Sequence, residues 1–180
     1  MALDPAELEH LRTVERRLLW LACWTIHHAN HVRAKDAVKT GGHQASSASM
    51  VQIMAALYFH ALRPEDRVAV KPHASPVFHA AQYLTGGQTR ETLEAFRGLG
   101  GAQSYPSRTK DADDVDFSTG SVGLGVAATA FAALTQEYLA AKPWSDVGRG
   151  RPKGRMVALV GDAELDEGNV YECLQEGWKQ

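Results

Sequence analysis

Apolar positions along the chain fall into two kinds of block. Leu8, Leu11, Val14, Leu18, Leu21 and Thr25 recur at helical spacing, which predicts one amphipathic helix from the amino terminus to about His31. Asp4-Pro5-Ala6-Glu7 marks its start, with an acceptor at the cap, proline at the first helical position and glutamate at the third. Trp20 and Trp24 are four apart and are expected to pack against a neighbour. Further helical patterns cover about Ala48 to Leu62, Val77 to Leu84, Thr89 to Phe96 with Thr89 as cap, and Val126 to Ala141. The second kind of block is short and β-rich. Arg67 to Val70 predicts a short strand, and Met156 to Val160 a buried parallel one that stops at Gly161-Asp162-Ala163-Glu164. Asn169 to Lys179 follows with helical spacing, so this region reads as strand, turn, helix.

About six helices against two or three strands place the chain in the α/β class. A parallel sheet that small cannot bury both faces. The expected architecture is therefore a partial module, a parallel sheet flanked by helices and truncated, reaching Gln180 in mid-helix. Residues 1–39 read as an N-terminal helical segment and 40–180 as the incomplete domain. Gly98 to Phe117 is a polar stretch longer than a compact domain usually tolerates without a functional reason.

Composition narrows the function classes. With 44% apolar and 22% charged residues the chain is of soluble globular type, and 180 residues suffice for a sizeable core. A net charge of −2 argues against nucleic acid as a partner, and the basic cluster Arg149 to Arg155 lies in a Gly/Pro-containing loop. Cys23 and Cys173 lack a CxxC partner and read as reduced core residues of a cytosolic protein. Leu18 to Ile26 is too short to span a membrane, and the amino terminus lacks the basic start of a signal peptide. The expected location is the cytoplasm, with no membrane partner.

Three turns carry the candidate chemistry: Gly41 to Ser47, Lys71 to Ser75 and Gly120 to Gly125. Each precedes a helix, where free N–H groups and small residues let a phosphate approach closely. Gly120 to Gly125 has the wrong spacing for the dinucleotide fingerprint, and no GK[ST] occurs. Histidine is the residue type that changes charge near neutrality without help, which singles out His43 and His73; each is either functional or a turn histidine bonded to backbone. His27, His28 and His31 share a helix face but have no carboxylate or cysteine in register to complete a metal site. Asp162 stands at a strand's carboxyl end, where open α/β sheets bind ligands. It either holds a metal ion that partners a phosphate or caps the next helix.

The ordered series Gly41 to Ser49, Pro72 to Pro76, Gln103 to Pro106, Gly123 to Gly125 and Gly161 to Glu167 resembles the thiamine-diphosphate enzymes of the transketolase superfamily. Within it, the likeness points to the decarboxylating component of homodimeric bacterial pyruvate dehydrogenase. Transketolases proper are similar in Thr119 to Gly123 and in Glu167-Gly168. The resemblance implies that Asp162 holds Mg2+, which grips the diphosphate, and that Gly161, Ala163 and Glu164 line it. It implies that His43 and His73 flank the diphosphate and thiazolium and serve proton transfer, with Ser46 in support. Gly120, Ser121 and Val122 would border the cofactor rings, and Glu167 would sit at a dimer interface coupling two active sites.

The implied activity is decarboxylation of a 2-oxoacid (pyruvate) with transfer of the two-carbon unit, and a lipoyl-bearing acyltransferase as possible partner. Transketolase action on sugar phosphates is the first alternative. A catalytically inactive truncated fragment is the second, since the family's second Mg2+ ligand and its activating glutamate would lie beyond Gln180. Two departures from the family pattern bear on the site. Gly-Asp-Ala replaces Gly-Asp-Gly, which requires a negative φ at Ala163, and Lys71-Pro72 stands where Gln-Gly is commoner.

Overall fold

α1 (Pro5–His27) opens the computed structural model, which describes residues 3–33 and 40–179. The helix continues through a π-helical turn, His28–Val32, so its extent is as the periodicity predicts. Its start differs. Asp4 occupies the cap position, but its side chain caps nothing, and Glu7 pairs with His60 Nδ1 at 2.7 Å instead of closing a capping box. Leu18, Ala22, Thr25 and Ile26 form the buried stripe. Trp20 is 62% exposed and stacks on Trp24 at 6.0 Å, so the expected packing against another element is not its role.

The chain divides into two compact units, Met1–Leu62 with Pro72–Val115 and Arg63–Lys71 with Asp116–Gln180. In the first, α2 (Gln44–Ala48), α3 (Val51–Ala56), α4 (Ser75–Thr85) and α5 (Arg90–Glu94) join α1. The predicted Ala48 to Leu62 helix starts earlier and breaks at Ser49-Met50, where Ser49 Oγ donates to the Ser46 carbonyl at 2.8 Å. Hydroxyl-to-backbone bonds of this kind compete with the helical ladder. Thr89 caps α5 by accepting from Thr92 N–H at 3.2 Å, as its sequence position predicts. The core centres on Leu18, Met54, Val77, Phe78 and Leu93, all buried.

The polar 98–117 stretch has neither helix nor strand, yet carboxylates tie it down. Asp111 accepts from the Gln103 and Ser107 N–H groups at 2.8 and 2.7 Å. Buried Asp113 pairs with Nδ1 of buried His79 and accepts from Gln88 Nε2 at 2.6 Å. His79 Nε2 bonds the Gln103 carbonyl at 2.7 Å, so one imidazole on α4 grips the loop at two points.

In the second unit, β1 (Arg67–Ala69) and β2 (Met156–Ala158) pair in parallel, Val68 opposite Val157. Both strands are shorter than their apolar runs. Thr119 Oγ1 donates to the Val70 carbonyl at 2.6 Å, on the edge of β1 that faces away from β2. Asp116 accepts from Val68 N–H at 2.8 Å, so side chains of the 116–119 segment satisfy the free edge of β1. β2 is half-buried rather than buried, because among the described residues it has β1 as its one strand neighbour. α6 (Leu124–Ala140) packs on both strands and α7 (Gly168–Lys179) packs on α6. Gly125 allows the close approach: a Cβ there would lie 3.3 Å from that of Ala69. Cys23 and Cys173 are free thiols but half-buried, not core residues as expected, because both sit at the margins of their helices' buried stripes. Among the described residues no helix is long and apolar enough to cross a membrane.

Asp66 joins the starts of the two strands. Its buried carboxylate accepts from Arg63 N–H at 2.9 Å, Arg155 N–H at 2.7 Å and Arg155 Nη2 at 2.5 Å. The hydrogen-bonded Arg155 guanidinium, helped by the two backbone N–H groups, holds the Asp66 carboxyl well below the usual carboxylate range against the opposing effect of burial. A depressed folded-state value means that this stabilisation is fully present above about pH 4, where an unfolded Asp titrates, and is lost as pH falls toward the folded-state value. Arg155 is 51% exposed, so replacing Asp66 falls at the low end for broken buried pairs. Asp66→Asn is expected to lower stability by about 2–3 kcal/mol at pH 7. A shifted urea midpoint at unchanged slope would report it, and the gap from wild type should narrow below about pH 4.

Candidate functional site

In the first unit, the His43 and His73 rings stand edge to face with centroids 5.1 Å apart. His43 is the extended cap residue of α2, and His73 lies in a single 3-10 turn, Pro72–Ala74, leading into α4. Both residues are exposed. The turn before His43 requires glycine. Gly41 and Gly42 have φ of +79° and +120°, and a Cβ on Gly42 would come within 3.0 Å of Ile26 Cγ2. Asn30 brackets this turn: its Oδ1 accepts from Gly41 N–H at 2.9 Å and its Nδ2 donates to the Gly41 carbonyl at 3.2 Å. Sequence reasoning passed over Asn30, whose only signal is its place in the polar His27 to His31 run. Ser46 is half-buried in α2, and its carbonyl takes the Ser49 hydroxyl. The rings of His27 and His31 are 5.0 Å apart, while His28 Nδ1 bonds the Glu94 carbonyl at 3.1 Å.

In the second unit, the Gly120 to Gly123 turn and the Gly161 to Glu164 turn meet through one carboxylate. Glu164 Oε2 accepts from Gly161 N–H at 2.6 Å, and Oε1 from Gly123 N–H at 3.5 Å. Gly123 begins α6 at φ +75°; a Cβ there would fall 2.6 Å from Asn169 Oδ1 and 2.9 Å from Val170 Cγ2. Asn169 Oδ1 is itself buried and has no hydrogen-bond partner among the described residues. Gly120, Ser121 and Val122 are exposed, above the buried Thr119 that anchors them to β1. Asp162 is exposed, and its side chain caps nothing although the 3-10 turn Ala163–Asp166 follows it. Ala163 meets the condition set by its methyl, because among the described residues only Arg97 combines a side chain with positive φ. Glu167 is exposed and extended, ahead of α7.

Gly161 is buried with Lys71 Nζ packed directly over it, and Glu164 Oε2 lies 3.4 Å from where its Cβ would be. The donor set in this unit fits an anion: two converging main-chain N–H groups, already receiving a carboxylate, and an ammonium beside them. For Mg2+ the offered hard oxygen is Asp162; among the described residues no three His, Cys, Asp or Glu side chains cluster as a metal site. Mg2+ commonly takes one or two carboxylates and completes its shell with phosphate oxygens and water, so the Asp162 oxygen and a diphosphate are a compatible set.

Comparison with known proteins points to a cofactor that carries a diphosphate. A family model described as "Transketolase, thiamine diphosphate binding domain" matches residues 25–176. The pyruvate dehydrogenase E1 component of Escherichia coli (strain K12) is 30% identical over 172 residues, 91% of this chain and 18% of that protein. Transketolase-like protein 2 of Mus musculus is 32% identical over 154 residues, 79% of this chain and 22% of that protein. The 1-deoxy-D-xylulose-5-phosphate synthase of Acidovorax sp. (strain JS42) is 29% identical over 174 residues, 95% of this chain and 24% of that protein. The chain thus spans about a fifth of the length of these relatives.

The two glycines of the 120–123 turn differ in what they require, and substitution separates them. Gly123→Ala adds a methyl at positive φ against Asn169 and Val170, and is expected to destabilise by about 2–4 kcal/mol. At Gly120 a Cβ would meet nothing within 4 Å, so Gly120→Ala should change stability by less than about 0.5 kcal/mol. Urea denaturation of the two variants side by side checks both.

Proposed function

The chain belongs to the family of transketolase thiamine-diphosphate-binding domains, and we propose that it binds thiamine diphosphate with Mg2+ for decarboxylation of a 2-oxoacid such as pyruvate and transfer of the two-carbon unit. The observation that carries the reading is the convergence of the Gly161 and Gly123 N–H groups on a single carboxylate, beyond the carboxyl end of β2. An arrangement that receives one anion from within the chain has the donors to receive a phosphate from outside it. The choice of a 2-oxoacid is supported by the Gly41 to Ser49 and Gln103 to Pro106 motifs and by the likeness to the pyruvate dehydrogenase component over 91% of the chain.

Asp162 is the residue to hold Mg2+, its exposed carboxylate being free of capping duty. Gly161, Ala163 and Glu164 line the diphosphate, and Gly120, Ser121 and Val122 border the rings. His43 and His73, exposed residues with rings 5.1 Å apart, hold substrate oxygens and move protons. Ser46 supports the His43 turn. When bound, the cofactor supplies the carbanion chemistry, and the protein binds, orients and shuttles protons. Glu167 is assigned to a homodimer contact, and a lipoyl-bearing acyltransferase is the acceptor's carrier in this reading.

A second reading, transfer of a ketol unit between sugar phosphates, is favoured by Thr119 to Gly123, by Glu167-Gly168 and by the likeness to transketolase-like protein 2. Turnover of pyruvate against xylulose 5-phosphate by the enzyme carrying this domain separates the two. The site itself is tested by calorimetric titration with thiamine diphosphate and Mg2+. The wild-type chain is expected to bind, and Asp162→Ala to bind about tenfold more weakly or worse. Equal affinities would remove Asp162 from the metal role.

A further inference from the structure

We propose that Lys71 is a diphosphate-binding residue of this chain, its ammonium supplying a charge that the two glycine N–H groups alone cannot. The inference rests on the cofactor reading above and adds to it a side chain that the family motifs do not supply. Lys71 lies two residues beyond the end of β1, and Gly161 three beyond the end of β2. Because the strands run parallel with Ala69 opposite Ala158, both residues emerge at the same end of the sheet. The Lys71 side chain crosses to Gly161 and lays Nζ directly over it, with Cε 3.2 Å from the position a Cβ would take. A side chain at 161 would push the ammonium aside, so glycine is what lets it lie there.

The charge balance at this point is uneven. Lys71 is half-buried, and among the described residues no carboxylate forms an ion pair with it. Glu164 also lies beside Gly161, but its two oxygens are engaged with the Gly161 and Gly123 N–H groups. The one carboxylate at this point thus serves the two N–H groups and not the ammonium. A half-buried cation without a counter-charge loses hydration and gains nothing in exchange, so the arrangement favours an incoming anion. A diphosphate, with several oxygens and more than one negative charge, satisfies the ammonium and the N–H groups at once, as a lone carboxylate does not. Lysine suits that task as a compact charge on a flexible stem.

The test titrates the full chain, in the presence of Mg2+, with thiamine diphosphate, with inorganic pyrophosphate and with thiamine. Lys71→Gln is expected to weaken binding of the first two by about tenfold and to leave thiamine, which lacks the diphosphate, unchanged. Lys71→Arg should retain most of the affinity, and salt should weaken wild-type binding more steeply than that of Lys71→Gln. A second measurement needs no variant: saturating pyrophosphate should protect Lys71 from acetylation by an amine-reactive reagent, read by mass spectrometry of the peptide, and thiamine should not. Equal pyrophosphate affinities for wild type and Lys71→Gln, or an unprotected Lys71 in a chain that binds pyrophosphate, would overturn the assignment while leaving the cofactor reading intact. A wild-type chain that binds neither diphosphate overturns both.

Discussion

The second unit depends on the bond between Asp66 and Arg155. Each residue directly precedes a strand, and the buried carboxylate takes both the main-chain N–H and the guanidinium of its partner. Two three-residue strands make too few ladder bonds to select their own alignment. A slip of one residue would turn every side chain to the opposite face. The Asp66 network excludes that slip at the point where the ladder begins. Everything at the far end of the sheet follows from it, including the arrival of Lys71 and Gly161 at the same level and the seating of α6 with Gly125 against Ala69.

The acidic stretch from Asp111 to Asp116 works on the same principle. In the first unit Asp111 and Asp113 gather N–H groups and an imidazole that would otherwise lack partners, and so order a loop with no secondary structure. In the second unit Asp116 does the same for an edge strand. These carboxylates substitute for missing ladders. Their density in the sequence reflects backbone accounting, since each main-chain N–H removed from water needs an acceptor.

Much of the fold was legible in the sequence. α1, α6, α7 and the Thr89 cap follow from periodicity and local capping chemistry, which act within a turn or two. What was not legible depends on residues far apart. The free edge of β1 is covered because Thr119 reaches the Val70 carbonyl, 49 positions away, and the loop is ordered because Asp113 meets His79, 34 positions away. The break at Ser49 is local, but a serine in a helical pattern does not announce which carbonyl its hydroxyl will choose. At the site, glycines, histidines and Asp162 stood out by residue type and order. Glu164 was marked as lining the diphosphate, while its bridge between two glycine turns arises only when residues 123 and 161 meet in space. Lys71 stood out only as a departure from a motif, since its contact with Gly161 is created by strand register.

The alanine at 163 looks like a loss where a glycine would be usual. It sits in the 3-10 turn after Asp162 at negative φ with its methyl exposed, so the folded chain makes no use of glycine's extra freedom there. A methyl at such a position narrows the unfolded ensemble without straining the native one, an entropic gain of about 0.4–1 kcal/mol. The turn presenting Asp162 therefore surrenders less disorder when the chain folds, and the alanine that departs from the motif favours the native turn.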